Sequence, residues 1–229
     1  MANLKSGAFT GDKSAGNPYS GDLGKGIAYD TYEANVPLVI QEGDYPKILT
    51  NYRTGAKRLV QYSSVQENAK MLDLGSGTGI SALEIFTQKP SASVTGIELS
   101  EGMLLVARYK FDQDNENVVA NVSDEKLLQY WRQFRAEAAN YKYRVKFVQG
   151  DFQQIDCLEP ESFDGAVAAQ FMHWTDLSKS FAQLGKFLKK NGEVVWNSAS
   201  HFFNDQEFPV AEYGFRYNGF LAHVLEDVC

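Results

Sequence analysis

Three glycines at alternate positions, Gly75, Gly77 and Gly79, follow directly on the short apolar run 71–74. A run of this length is typical of a strand buried between two helical layers. Residues 80–86 then have the composition of a helix. A strand that passes through glycines into a helix brings bare backbone and unpaired helical N–H groups close to a ligand. The stretch is therefore either a nucleotide-type binding turn or a flexible strand-to-helix connection.

Strand and helix patterns alternate along the chain from this turn onward. The apolar, β-rich runs predict strands over 70–74, 93–99, 144–149, 163–169 and 193–198. The intervening segments predict helices over 80–88, 101–111 and 177–188, the second of them capped by Ser100. Repeated strand–helix units of this kind predict an α/β fold, with a Rossmann-like, mostly parallel sheet and helices on both faces.

Three segments do not fit the simple alternation. Residues 1–26 are polar and rich in glycine, which predicts a mobile arm. Residues 27–39 and 48–62 are aromatic and apolar and predict a helical cap before the sheet. Residues 123–141 carry a helical apolar stripe between the second helix and the third strand, so an inserted helix is expected there, either as edge packing or as part of a substrate cover.

The end of the chain predicts no further strands. Residues 213–225 are aromatic and suggest a helix, so two terminal strands are expected to be missing. A short sheet would leave an exposed edge, which favours a fragment of a longer protein. The expected organisation is an arm and helical cap over 1–66, a core over 67–200 and a truncated C-terminal helical segment over 201–229.

Polar and aromatic side chains are predicted where successive strands end. Glu98 ends the second strand, nineteen residues after Gly79, and a carboxylate there can accept hydrogen bonds from a ribose diol. Asp151 closes the third strand and could accept from the amine of an adenine. Gln170 and its successors end the fourth. Ligands of open α/β sheets bind outside the carboxyl ends of the strands, so these positions predict one crevice.

The turn matches neither common phosphate-binding pattern. Ile80 stands where the dinucleotide fingerprint has a glycine, and no Gly-Lys-Ser/Thr sequence follows. The net charge of −7 argues against a nucleic-acid partner, as does the lack of an Asn/Asp-Pro-Pro-Tyr/Phe motif. With no apolar run long enough to span a bilayer and no signal-peptide core, a cytoplasmic location is expected. Two cysteines and three histidines make a metal site unexpected.

Taken together, the motifs resemble those of the class I S-adenosylmethionine-dependent methyltransferases, and the resemblance covers roughly residues 70–200. The matching segments are 72–79, 98–104, 150–152, 163–164 and 188–193. Residues 171–176 are similar to the corresponding segment of small-molecule methyltransferases, some of which methylate carboxylates. S-adenosyl-L-methionine is the cofactor that the resemblance implies, with S-adenosyl-L-homocysteine as its product.

The resemblance also implies a set of cofactor-binding residues. They are Asp73, Gly75, Ser76, Gly77, Gly79, Glu98, Leu99, Met103, Asp151, Phe152 and Gln170. Those of the turn would hold the methionine end of the cofactor, with Gln170 nearby. Glu98 would bind the ribose hydroxyls, and Leu99 and Met103 would lie against the adenine. Asp151 would hold the adenine amine and Phe152 the adenine face or edge.

The acceptor side of the site is expected to be small and apolar. Tyr29, Tyr32 and Trp174 would line the acceptor pocket, although tyrosines in such a cap are more often core residues. His173 is the candidate general base, because imidazole titrates near neutral pH; the alternative is a structural histidine. The expected activity is methyl transfer to a small molecule at oxygen, including a carboxylate, or at carbon.

Two other functions remain open at this point. A methyltransferase-like domain of a larger protein could bind cofactor, or serve as a scaffold, without catalysis. The intact acids Asp73, Glu98 and Asp151 argue against that alternative. A nicotinamide oxidoreductase is disfavoured by the glycine spacing and by the lack of a Tyr-x-x-x-Lys pair. The oligomeric state does not follow from the sequence.

Overall fold

The computed structural model describes residues 23–35, 52–113, 116–199, 212–218 and 221–226. The helices are α1 (Leu23–Asn35), α2 (Tyr52–Gln61), α3 (Ile80–Gln88), α4 (Glu101–Lys110), α5 (Glu125–Ala138) and α6 (Leu177–Phe187). The strands are β1 (Lys70–Leu74), β2 (Ser93–Glu98), β3 (Val145–Gln149), β4 (Phe163–Ala169), β5 (Leu188–Ala199), β6 (Glu212–Asn218) and β7 (Leu221–Glu226). These bounds confirm the predicted alternation to within a few residues.

The strands form one sheet in the order β3-β2-β1-β4-β5-β6-β7. Strands β1 to β5 are parallel, and β1 lies between β2 and β4. The chain therefore leaves β1 toward one edge of the sheet and later returns to its other side. A crevice forms at such a reversal of strand order, outside the carboxyl ends of the central strands. The glycine turn follows β1 and lies at this reversal.

The two faces of the sheet are both covered. On one face Met71, Val167 and Val195 join a core cluster with residues of α2, α3, α4 and α5. On the other face Leu72 and Val194 join a second cluster with residues of α6. Neighbouring residues of a strand point to opposite faces, and both faces are apolar here. The predicted Rossmann-like sheet with helices on both faces is thus confirmed.

The prediction of a missing terminal hairpin is wrong. Strand β6 pairs antiparallel with β5, and β7 pairs antiparallel with β6, with Asn218 opposite Leu221. The segment predicted to be helical is therefore a strand pair. Its aromatic residues at 213, 215 and 217 follow the period of two that is typical of a strand, and Gly219 interrupts any helical pattern. The sheet therefore contains both terminal strands, and the expectation of a truncated sheet is wrong.

The prediction of a mobile arm is wrong for residues 23–26, because α1 begins at Leu23. Residues 1–22 lie outside the described part of the chain. Gly26 belongs to α1, where a Cβ would come within 2.5 Å of the carbonyl oxygen of Gly102 in α4. The glycine thus permits a close approach of two helix backbones, and it is a packing residue of the cap.

The inserted helix is confirmed as α5, capped by Asp124, whose carboxylate accepts from the amides of Lys126 and Leu127. Its apolar stripe is fully buried at Leu127, Trp131, Phe134 and Ala138. These residues pack against α1, α3 and α4. Packing, one of the two roles expected for the insertion, therefore explains its buried stripe. A part in a substrate cover, the other role, stays a prediction.

Candidate functional site

The glycine turn has a left-handed backbone at each of its three glycines. The φ angles are 64° at Gly75, 51° at Gly77 and 84° at Gly79. Gly79 is the N-cap residue of α3 and provides no side-chain hydrogen bond to the first helical amides. A Cβ at Gly77 would meet only a carbonyl oxygen, at 3.9 Å. At Gly77 the turn therefore offers open space above bare backbone, close to the N-terminus of α3.

Glu98, the last residue of β2, is aimed at this turn. The amide of Gly77 donates to its Oε2 at 3.0 Å, and the amide of Ser100 donates to its Oε1 at 2.8 Å. Burial raises the pKa of Glu98 above its usual range, against the opposing effect of these amides. Each carboxylate oxygen has two lone pairs, so the pair of oxygens retains acceptor capacity for further donors.

Asp73 lies behind the turn and is fully buried. The hydroxyl of Ser81, in the first turn of α3, donates to its two carboxylate oxygens at 2.7 and 2.8 Å. Burial raises the pKa of Asp73 to about 7, and the nearby charge of Glu98 acts in the same direction. Asp73 thus fixes the start of α3 to β1. Its predicted contact with the methionine end of a cofactor stays a prediction.

The end of β4 is brought against the turn. Gln170 has a φ of 54°, which is uncommon for a residue other than glycine, and its amide donates to the Asn197 side chain at 2.9 Å. The next residue, Phe171, lies so close to Gly75 that a Cβ there would clash with its ring. A strained backbone that directs a ring at a glycine turn is typical of a functional site. The end of β4 thus lies against the turn through Phe171, and the predicted place of Gln170 near the methionine end of a cofactor stays a prediction.

The two residues predicted to bind adenine after β3 differ in their accessibility. Asp151 accepts from the amide of Gln153 at 2.9 Å and from the side-chain amide of Gln154 at 2.9 Å. Phe152 is 1% exposed and belongs to the core cluster with Leu72 and Ile97. Phe152 therefore supports the loop around Asp151 from beneath, and the contacts of both residues with an adenine stay predictions.

Three other predicted cofactor residues lie at the ends of β1 and β2. Leu99 is exposed and Met103 is buried at the start of α4. Ser76 is buried, and its hydroxyl has no hydrogen-bond partner within the described part of the chain. A buried hydroxyl without a partner in the binding turn is a polar group that a ligand or a water molecule would satisfy.

The residues predicted for the acceptor side lie in two places. Trp174 ends a short 3-10 turn after β4 and is 39% exposed. The side chain of His173, in the same turn, lies outside the described part of the structure. Tyr29 and Tyr32 in α1 both contact the ring of Tyr52 in α2, with centroid distances of 4.6 and 5.8 Å. The roles of all four residues in acceptor binding or catalysis stay predictions.

A buried polar cluster behind the turn was missed by the sequence predictions. Asp30 of α1 accepts from the Thr78 hydroxyl at 2.6 Å, from the Lys110 ammonium at 2.8 Å and from the Trp131 indole at 2.6 Å. Asp30 and Lys110 are both fully buried. An acid and a lysine at positions where the helical period of α1 and of α4 favours apolar residues are the sequence signal that could have suggested this pair.

These features test whether the site suits the cofactor that the resemblance implies. S-adenosylmethionine presents a ribose diol, an adenine and a charged methionine end. The carboxylate of Glu98 suits the diol, and the open backbone at Gly77 leaves room for the methionine end. Asp151 lies one strand further along the same edge. The residues present therefore fit the cofactor.

Neither a membrane-spanning helix nor a metal-binding cluster occurs among the described residues. No helix in those ranges has the length and apolar character needed to cross a bilayer. Histidine, cysteine and acidic side chains in the same ranges form no group of three that could hold a metal ion.

Comparison with known proteins places the chain in a family. The family described as "Methyltransferase domain" matches residues 72–196, which is more than half of the chain. Among curated proteins, the malonyl-[acyl-carrier protein] O-methyltransferase of Nitrosospira multiformis is 27% identical over 157 residues, covering 67% of this chain and 45% of the relative. The enzyme of the same name from Halalkalibacterium halodurans is 28% identical over 155 residues, covering 64% and 47%. The chain thus spans less than half the length of these relatives.

Solved structures agree on the fold. A candidate S-adenosyl-L-methionine-dependent methyltransferase of Methanococcus maripaludis aligns with a TM-score of 0.52 and 18% identity, covering 81% of this chain and 67% of that one. The geranyl diphosphate C-methyltransferase of Streptomyces coelicolor, solved with S-adenosyl-L-homocysteine, aligns with a TM-score of 0.50 and 15% identity, covering 73% and 52%. The chain belongs to the methyltransferase-domain family and has the fold of the class I S-adenosylmethionine-dependent methyltransferases.

Proposed function

We propose that this chain transfers a methyl group from S-adenosylmethionine to a small acceptor, at oxygen or at carbon. The main support is the position of Glu98, whose carboxylate faces the glycine turn and accepts a hydrogen bond from the Gly77 amide at 3.0 Å. An acidic acceptor beside bare backbone at the carboxyl ends of β1 and β2 is the arrangement that a ribose and its methionine substituent require.

The chemical demand on the protein is modest. S-adenosylmethionine, when bound, supplies a methyl group already activated by its sulfonium. The residues of the chain then have to align the acceptor with that methyl and exclude water from the approach. The Phe171 ring lies against the Gly75 backbone, and Trp174 is partly exposed one residue beyond the candidate base. An apolar boundary between cofactor and acceptor would follow from these two rings.

Oxygen is the favoured acceptor atom. The curated relatives reported above are O-methyltransferases that act on a malonyl group carried by acyl-carrier protein. Their identity to this chain is below one third, and their length is more than twice the matched part, so they support the class of acceptor atom and no particular substrate. A small carboxylate, free or carried on a thioester, is the acceptor class that we propose first.

A transfer assay with labelled S-adenosylmethionine tests this proposal. Wild-type protein is expected to bind S-adenosylhomocysteine in the micromolar range by calorimetry and to label one class among carboxylic acids, phenols and β-dicarbonyl carbon acids. Transfer to carbon acids alone would exclude the oxygen acceptor. Cofactor binding without transfer to any class would favour the non-catalytic alternative, and the absence of both would contradict the proposed function.

A His173→Ala variant tests the proposed base. If the acceptor carries a hydroxyl or an acidic carbon, turnover is expected to fall by about 100-fold or more, because positioned proton transfer commonly contributes that much. The affinity for S-adenosylhomocysteine should stay within about threefold of wild type, since a base acts on the acceptor and not on the cofactor. Equal turnover in the variant would remove the base role, and it is also the result expected for a carboxylate acceptor, which needs no base.

A further inference from the structure

The buried cluster at Asp30 connects four elements of the molecule. Its carboxylate, in α1, accepts from Thr78 in the glycine turn, from Lys110 in α4 and from Trp131 in α5. Lys110 also lies 3.2 Å from the Thr78 hydroxyl oxygen and packs 4.1 Å above the centre of the Phe134 ring. We call this set of residues, Asp30, Thr78, Lys110 and Trp131, the Asp30 cluster.

The Asp30 cluster is closed to solvent. Asp30, Lys110 and Trp131 are 0% exposed, and Thr78 is 1% exposed. Charges so deeply buried are tolerated only where partners satisfy them, and removing one partner leaves another unpaired. The Asp30 carboxylate is closed to solvent, and it contacts the glycine turn through its hydrogen bond from Thr78.

Thr78 occupies the middle of the glycine turn. It lies between Gly77 and Gly79, both of which have a left-handed backbone, and its hydroxyl hydrogen bond to Asp30 measures 2.6 Å. The amide of Gly77 in turn donates to Glu98. The middle of the turn is thus held from two sides, by Asp30 of the cap behind it and by Glu98 of the sheet edge in front.

We propose that Asp30 is a positioning residue for the cofactor, which fixes the glycine turn through Thr78 and couples the docking of the N-terminal cap to cofactor binding. This inference rests on the proposed function. Any free energy that cofactor binding gains from a correctly shaped turn must also stabilise the docked cap, because coupling between two equilibria is reciprocal. The cap and the inserted helix therefore contribute to cofactor binding although they need not touch the cofactor.

The direct test is a Thr78→Val variant, which removes the hydroxyl and keeps nearly the same volume. Its affinity for S-adenosylhomocysteine is expected to fall by about tenfold or more, since a hydrogen bond to a charged partner is among the stronger ones. Thr78→Ser retains the hydroxyl and should bind within about threefold of wild type. Thr87→Val is the matched control, because it removes a threonine hydroxyl that lies outside the Asp30 cluster and donates to the carbonyl of Glu84 within α3. It is expected to leave the affinity within about threefold of wild type.

Hydrogen exchange gives a readout that a purely structural role would not produce. Binding of S-adenosylhomocysteine should slow the exchange of α1 amides in wild type and Thr78→Ser, and this protection should be lost in Thr78→Val. An unchanged affinity in Thr78→Val would overturn the inference, as would an equal loss of affinity in Thr87→Val.

The ligand-free protein separates this inference from the proposed function. Without any ligand, Thr78→Val is expected to speed amide exchange at the start of α3, at residues 80–83, while Thr78→Ser leaves it unchanged. If wild type failed to bind S-adenosylhomocysteine, the proposed function would be contradicted, while this comparison would still decide whether the Asp30 cluster holds the turn. Equal exchange in Thr78→Val and wild type would show that it does not.

Discussion

A Glu98→Ala variant is expected to lose S-adenosylhomocysteine affinity by about 100-fold or more, as measured by isothermal calorimetry. Two charge-assisted hydrogen bonds to a ribose diol are together worth about 3 kcal/mol or more, and each 1.4 kcal/mol is about a factor of ten in affinity. The substitution also frees the amides of Gly77 and Ser100, which the carboxylate holds at 3.0 and 2.8 Å. Both effects weaken the same site.

Two further variants make the Glu98 result specific. Glu98→Gln retains one carbonyl acceptor but not the charge, so its affinity should lie between those of wild type and Glu98→Ala. Glu101→Ala removes an exposed acid three residues later, on the first turn of α4, and should bind within about twofold of wild type. Unchanged binding in Glu98→Ala would contradict the assignment of the ribose site.

The second large effect concerns stability and pH. An Asp73→Asn variant is expected to be more stable than wild type at pH 8 and to lose much of the dependence of stability on pH between 4 and 7. The cause is the burial that raises the pKa of Asp73 to about 7 in the folded protein, against 3.8 for an ordinary aspartate. Asparagine can still accept the Ser81 hydroxyl through its carbonyl oxygen.

The sign of this pH dependence follows from the number of protons that the folded and the unfolded states bind. Between these two pKa values the folded protein keeps the Asp73 proton and the unfolded chain has released it. The free energy of unfolding therefore falls as pH rises through this range, and the penalty is complete above pH 7. A difference of about three pKa units corresponds to about 4 kcal/mol, as an order of magnitude. Lowering the pH toward 3.8, the ordinary pKa of aspartate, removes this penalty on the free energy of unfolding, because the unfolded chain then also binds the proton.

Urea unfolding of wild type and variant at pH 5, 6, 7 and 8 measures this effect. The two curves of unfolding free energy against pH should diverge as pH rises, with Asp73→Asn above wild type at pH 8. Asp156→Asn, which alters an exposed carboxylate, controls for the loss of one negative charge. Parallel curves for wild type and Asp73→Asn would show that Asp73 is ionised in the folded protein throughout this range.

Much of the fold could be predicted because its signals are local. The apolar period of β4 and the capping residue before α4 each depend on a few adjacent residues, and the predicted bounds of β4 agree with the structure. The glycine turn and Glu98 could be predicted for the same reason. A left-handed turn needs glycine at fixed positions, and an acid at the end of the next strand has a fixed spacing from it.

The terminal hairpin shows where local patterns mislead. Aromatic residues at short intervals are compatible with a helix face as well as with a strand. The alternation at 213, 215 and 217 therefore does not by itself exclude the predicted helix. What decided between them is the open edge of β5, which β6 covers with its antiparallel ladder. An unpaired edge is a property of the assembled sheet, so the sequence of the segment alone does not contain it.

The sequence by itself therefore determined the order of strands and helices from β1 to β5, the glycine turn after β1 and the acids at the ends of β2 and β3. Only the tertiary structure decided that Asp30 reaches the turn, because its partners Thr78, Lys110 and Trp131 are 48, 80 and 101 residues away along the chain. A buried carboxylate must find its donors in three dimensions, wherever packing brings them. Here packing of α1 on α4 and α5 brings them to the back of the glycine turn.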